Sequence, residues 1–300
     1  MIKLLGVLSF YNIELVDYQV LNSNLGYPVI KINEKYILKR VTSEVPINEV
    51  LFDFLIRKNV LKNIIKNKYN RIFTYYDSCF WLLTQSLEGK KYDYENVDLL
   101  EEVREYLSSL SGVKYISNGI IFHDNFNVSQ WYEFSGKMLD KTFSLIEHYY
   151  GHVNLEYRKR IEYLYQKVEF NTNYNQFHLV ISHGELQNTN ILFSSEGLEV
   201  FDWDSLSLRP RIFDIATSAC YLCREKRGEF NLAIEKYNKY LSGFSLDNLE
   251  LANLINMIFI CFIPKEDTIE KFYIKGRAAL AWYLEWTISA MESIFSTLLV

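Results

Sequence analysis

The sequence has no basic surplus, no disulfide-type cysteine spacing and no apolar run long enough to cross a bilayer. Lys and Arg number 32 against 37 Asp and Glu, a net charge of −5, and a nucleic-acid binder is expected to show the opposite balance. Its four cysteines (Cys79, Cys220, Cys223 and Cys261) point to a reducing compartment. Cys220 and Cys223 form a C-x-x-C within the helix-like TSACYLC, but no second ligand pair accompanies them, so they read as small core residues. His148 and His152 are spaced i, i+4 without convergent ligands. The apolar run LANLINMIFICFIP reads as a core helix, being too short for a membrane span. The first residues, MIKLLGVLSFYNIEL, lack an A-x-A cleavage site and soon meet Glu14 and Asp17, which argues against a signal peptide. Together these absences predict a cytoplasmic chain with no nucleic-acid or membrane partner.

What is present suits a globular protein. Half of the 300 residues are apolar and 23% are charged, which excludes wholesale disorder. Residues 17–41 read as strands separated by turns: DYQVLNSN, YPVIKI, an NEK turn, then YILKRV. Pro46 opens a helix, INEVLFDFLIRK, with Ile47, Val50, Leu51 and Phe54 at helical spacing, and the strands RIFTYY and CFWLLTQ follow. After Gly89 helical patterns take over, in ENVDLLEEVREYLSSL, in residues 130–150 and in 154–170. A strand pair at 178–202 interrupts them, and four helical stretches run on to the C-terminus. The layout predicts an α+β protein with a sheet domain at 1–88 and a larger helical domain at 89–300.

Residues 183–204, HGELQNTNILFSSEGLEVFDWD, space out the parts of a phosphoryl-transfer site. That chemistry needs a carboxylate to orient the attacking hydroxyl and oxygen ligands to hold Mg²⁺ on the phosphates. Glu185 follows a His183-Gly184 turn, Asn190 stands at the mouth of a short strand, and Asp202 ends the returning strand. In LEVFDWD, alternation puts Leu198, Val200 and Asp202 on one face, so the carboxylate lies in line with core residues and calls for a cation. Asp204 either contacts a second metal or is a solvated aspartate. Lys39 alternates with Ile37 and Val41 in YILKRV, which suits a phosphate-facing amine; Arg40 points the other way. Glu49, ten residues on, shares a helix stripe with Phe52 and Ile56 and is placed to pair with Lys39, with Glu44 a weaker substitute. Asp214 in RPRIFDIAT sits where a helix begins, a position that capping and the helix dipole favour on their own.

In combination these segments resemble the aminoglycoside phosphotransferase and choline kinase branch of the protein-kinase-like fold. HGELQNTNIL resembles the family's H-G-D-x-x-x-x-N catalytic loop, and VFDWD its I-D-W/F-D/E metal segment. RPRIFDIA is similar to its P-x-x-D-L-A segment with one extra residue, and YILKRV with NEVLFDFL resembles the lysine strand and the glutamate helix. YILKR and RAALAWYLEW are also similar to kinase-like proteins of bacterial spore coats.

The resemblance implies a two-lobe fold, with a small antiparallel-sheet lobe carrying one main helix and a larger, mostly helical lobe. It implies a kinase using ATP and Mg²⁺ to phosphorylate a hydroxyl of a small molecule. Glu185, His183 and Asp214 form the catalytic group, Asn190 and Asp202 the Mg²⁺ ligands. Lys39, Glu49 and the hinge residues Gln85 and Leu87 hold the nucleotide. The acceptor pocket in such folds is built from helices after Asp214, here including Glu266, Asp267, Glu270, Tyr283 and Glu285, whose acids either meet an amine or form a solvated helix face. Three positions depart from the family: Glu185 replaces aspartate, Gln187 stands where histidine is common, and NSNLGYP has only Gly26 to cover phosphates. The departures leave open weakened activity, or a structural role in a spore coat with assembly partners there.

Overall fold

The structure, a computed structural model, describes residues 2–21, 28–41, 49–113, 139–149, 155–168, 179–264 and 266–298. They form two compact units. One comprises the described residues up to Lys90 together with Asp202–Ser207, and the other the described residues of 91–201 and 208–298. Eight described residues of the expected 89–300 domain, 89, 90 and 202–207, therefore fall in the first unit.

The first unit contains α1 (Ile2–Leu8), β1 (Tyr18–Leu21), β2 (Val29–Ile32), β3 (Tyr36–Arg40), α2 (Glu49–Arg57), β4 (Ile64–Ile65), β5 (Phe73–Tyr76) and β6 (Cys79–Gln85). The strands pair antiparallel in the order β1-β2-β3-β6-β4, and β5 also pairs with β6. The NEK turn is tight because Asn33 and Glu34 both take positive φ, and the Lys35 amide closes it on the Ile32 carbonyl at 3.0 Å. Strand alternation sends Ile30, Ile32, Leu38 and Leu83 to one face, where Leu4, Val7 and Leu8 of α1 and Tyr11 close the core. Helix α1 has no counterpart among the expected elements, although Leu4, Val7, Leu8 and Tyr11 follow the i, i+3, i+4, i+7 rule. Lys39 alternates with Leu38 and so lies on the opposite face, paired across to Leu82. On α2 the buried stripe is Leu51, Phe52 and Leu55, while Val50 is exposed, a rotation from the expected stripe. The Phe52 ring meets Phe73 edge-on at 5.3 Å and sets that rotation. The expected helix start at Pro46, Glu44 and the Gly26 turn lie outside the described residues.

A short strand β7 (Lys90–Lys91) falls where the first unit ends. The second unit then holds α3 (Val97–Gly112), α4 (139–149), α5 (Leu155–Tyr165), β8 (Leu179–Ser182), β9 (Ile191–Ser194), β10 (Gly197–Val200), β11 (Ser207–Pro210), α6 (Ile212–Leu222), α7 (Ile234–Ser242), α8 (Asn248–Phe262), α9 (Glu266–Ile274) and α10 (Arg277–Leu298). Among the described residues five helices follow β11 where four stretches were expected; the 22-residue α10 is distinct from α9 because Gly276 takes φ 109 between them. Asn96 caps α3, and Leu100, Val103, Leu107 and Leu110 bury its inner face. Helix α6 is buried on every side, so it works as the axis of this unit. Arg160 ties α5 to α10 through Glu285 and Glu292. No described helix is long and apolar enough to cross a membrane.

Cys220 and Cys223 are fully buried on α6 and at its end, as core residues, and burial pushes the Cys223 thiol up. Cys79 is only half-buried. Maleimide at pH 8 is therefore expected to label Cys79 in the folded protein well before Cys220 or Cys223, with all three reacting in urea; peptide mapping by mass spectrometry reads the order.

Candidate active site

The segment from His183 to Asn190 is suspended from the start of α6. Asp214, 4% exposed in the first turn of that helix, accepts three hydrogen bonds from the chain leaving β8. They come from the Ser182 hydroxyl at 3.0 Å, the His183 amide at 2.7 Å and the Gly184 amide at 2.9 Å. Gly184 has φ 87, a backbone state that a side chain resists, and it lets two successive amides converge on one carboxylate.

The His183 ring is completely buried. Its Nε2 lies 3.0 Å from the Phe201 carbonyl, and its Nδ1 accepts from the Glu185 amide at 3.2 Å, which assigns the proton to Nε2. Asn190, also buried, donates through Nδ2 to the Glu185 carbonyl at 2.9 Å. Its own carbonyl accepts from the Phe201 amide at 3.0 Å. Glu185 is thus held through its backbone on both sides while its side chain stands exposed. The ring nitrogens of His183 both face backbone groups, and the Asp214 carboxylate is taken up by two backbone amides and the Ser182 hydroxyl.

In the first unit, Lys39 bonds both carboxylates of the DWD segment. Its ammonium meets Asp202 Oδ1, and Asp204 Oδ2 at 2.7 Å. Burial works to lower the Lys39 pKa, but the Asp204 and Asp202 charges, with their hydrogen bonds, outweigh it and leave it raised. The expected strand alternation through Asp202 does not hold, since β10 ends at Val200 and Asp202 takes the left-handed state, φ 66 and ψ 55. Aspartate tolerates that state better than most residues. A 3₁₀ turn over Trp203–Ser205 follows, anchored by the buried Trp203 and Leu206, and it brings Asp204 onto the same amine as Asp202.

Glu49 does not pair with Lys39. Its carboxylate takes the Arg71 fork in two bonds, and Glu49 Oε1 also accepts from the Ile72 amide at 3.0 Å. The bidentate guanidinium fits a carboxylate better than a single amine does. At the hinge, the Gln85 and Ser86 amides donate to Asn63 and Lys35 carbonyls, both at 2.7 Å.

Among the expected substrate acids, Glu285 is neutralised by Arg160 at 2.8 Å, and Tyr283 is buried in a stack with Phe272 at 4.6 Å. Glu270 is exposed, and the side chains of Glu266 and Asp267 lie outside the described residues, as does His152. His148 meets the Tyr149 ring edge-on at 4.9 Å. Ser182 and Arg71 carry no sequence signal for the parts they take, because each depends on a partner 22 or more positions away.

An antiparallel-sheet unit with an embedded lysine, and a helical unit that suspends an H-G-E-x-x-x-x-N loop from a buried aspartate, define a protein-kinase-like fold. The phosphotransferase enzyme family model matches residues 76–249, more than half of the chain, and the chain belongs to that family. Its fold is similar to that of spectinomycin phosphotransferase APH(9)-Ia in complex with ADP and spectinomycin, at TM-score 0.65 and 11% identity over 96% of this chain and 97% of that one. An aminoglycoside phosphotransferase from Alicyclobacillus acidocaldarius matches at TM-score 0.66 and 12% identity over 98% and 94%. Choline kinase from Cryptosporidium parvum matches at TM-score 0.63 and 13% identity over 98% and 94%. A search of curated protein sequences finds no match.

Proposed function

We propose that this phosphotransferase moves the γ-phosphoryl group of ATP, with Mg²⁺, to a hydroxyl of a small molecule. The observation that carries the reading is the suspended loop: Gly184 and Leu186 on either side of Glu185 are buried, the His183 ring and Asn190 hold its backbone, and its side chain is exposed. Glu185 orients the acceptor hydroxyl and takes up its proton. Lys39 binds the α- and β-phosphates. The Leu87 amide, which has no protein acceptor among the described residues, receives the adenine ring edge. Asn190 and Asp202 are the Mg²⁺ ligands. The donor set fits that ion, being hard oxygen only; Asn190 Nδ2 is tied back, and Oδ1, which accepts from the Thr189 hydroxyl at 3.3 Å, has a second lone pair to coordinate. When bound, Mg²⁺ neutralises the charge on the transferring phosphoryl group. The first unit in this reading holds the nucleotide and the second the acceptor.

Glutamate in place of aspartate retunes rather than removes activity. One extra methylene shifts the carboxylate by about 1 Å, and the loop geometry around it is intact. The test is a panel of amino alcohols, aminoglycosides and sugars scored for ADP release, with Glu185→Gln as the control. Glu185→Gln is expected to cost about 10²–10⁴-fold in kcat for the accepted substrate, with its unfolding midpoint unchanged because the side chain is exposed. ADP release that is equal in both proteins, or no thermal shift with Mg-ATP, would favour a structural role such as a spore-coat component.

A further inference from the structure

We propose that Asp204, and not Glu49, is the carboxylate that positions Lys39, which leaves Asp202 free to turn to the metal. This rests on the reading of Lys39 as the phosphate-binding amine. An ammonium has three donors, and here two are in use, on Asp202 and on Asp204 at 2.7 Å. A metal ligand cannot also be the permanent anchor of the lysine. Asp204 satisfies what Asp202 cannot: its side chain is 21% exposed against 35% for Asp202, and the Lys39 side chain it meets is 19% exposed. Its place is set by a turn whose own anchors, Trp203 and Leu206, are buried, so it need not move when Asp202 rotates.

Glu49 has the opposite character. It would have to give up two bonds to Arg71 and the Ile72 amide before it reached any other cation. The Glu49–Arg71 pair fastens the start of α2 to the start of β5. The lysine's partner in this chain therefore comes from the metal segment and not from the helix.

Two double-variant cycles in EDTA test this: Lys39→Met with Asp204→Asn, and Lys39→Met with Glu49→Gln, read by urea unfolding midpoint and by ADP affinity from calorimetry. Lys39 and Asp204 are expected to be non-additive, with a coupling of about threefold or more in ADP affinity, and Lys39 and Glu49 to add. Coupling found instead between Lys39 and Glu49 overturns the proposal. So does an Asp204→Asn effect that appears only when Mg²⁺ is added, because Asp204 is then a second metal ligand. Restoration of ADP affinity in Asp204→Glu, but not in Asp204→Asn, supports a positioning charge. The unfolding cycle needs neither turnover nor metal, so it stands or falls apart from the proposed reaction.

Discussion

Asp202→Ala is expected to lower phosphoryl transfer by about 10³-fold or more, the scale of losing a preorganised charge at the reacting phosphates. The fold should survive it. Asp202 is 35% exposed, so its removal strands no buried donor, and Lys39 keeps Asp204 at 2.7 Å. Alanine does pay something at φ 66, roughly 1–2 kcal/mol, because it lacks the short polar side chain that eases the left-handed state. Asp202→Asn separates the two effects, since asparagine suits that backbone but carries no charge. Both variants should lose turnover and only the alanine should lose stability. ADP release with the accepted substrate, beside urea unfolding of each protein, reads the pair. Turnover within tenfold of the parent in both variants would remove Asp202 from the metal site.

How far the sequence foretold this arrangement depended on the range of each interaction. Turns and strand periods are local, so the β2–β3 and β9–β10 hairpins, and the loop from His183 to Asn190, stood close to where they were expected. Asp214 was legible as an acid at a helix start. Its three donors were not, because they come from the end of β8 and the turn after it, about 30 positions upstream. The fate of Glu49 was hidden for the same reason: a glutamate ten residues after Lys39 says nothing of an arginine at position 71. Alternation through LEVFD misplaced Asp202 because period-two reasoning assumes that the strand continues, and a single left-handed residue ends it. The α1 helix shows the converse failure. Its spacing obeys the helical rule, but a short apolar run at a chain start is easily weighed only as a targeting signal.

The largest stability effect is expected at Asp214, through the loop it holds. Truncation by Asp214→Ala leaves a hydroxyl and two backbone amides without their acceptor in a site that is 4% exposed. At about 1–3 kcal/mol for each stranded buried group, the loss is on the order of 3–9 kcal/mol, less whatever an entering water restores. That is a large share of a typical domain's whole stability of about 5–15 kcal/mol. Asp214→Asn keeps the shape and the Oδ1 acceptor for Ser182 and Gly184, but it turns an NH₂ toward the His183 amide, donor against donor. An intermediate cost of about 2–3 kcal/mol follows. Turnover should fall in both even where the protein is still folded, because Glu185 takes its position from the His183 ring and Asn190, and a displacement of about 1 Å costs around 10²-fold. Urea midpoints at 25 °C, and ADP release at a temperature where each variant is fully native, separate the two losses. An Asp214→Ala protein within about 1 kcal/mol of the parent would mean that the three donors find other acceptors, and the loop would then owe its shape to His183 and Asn190 alone.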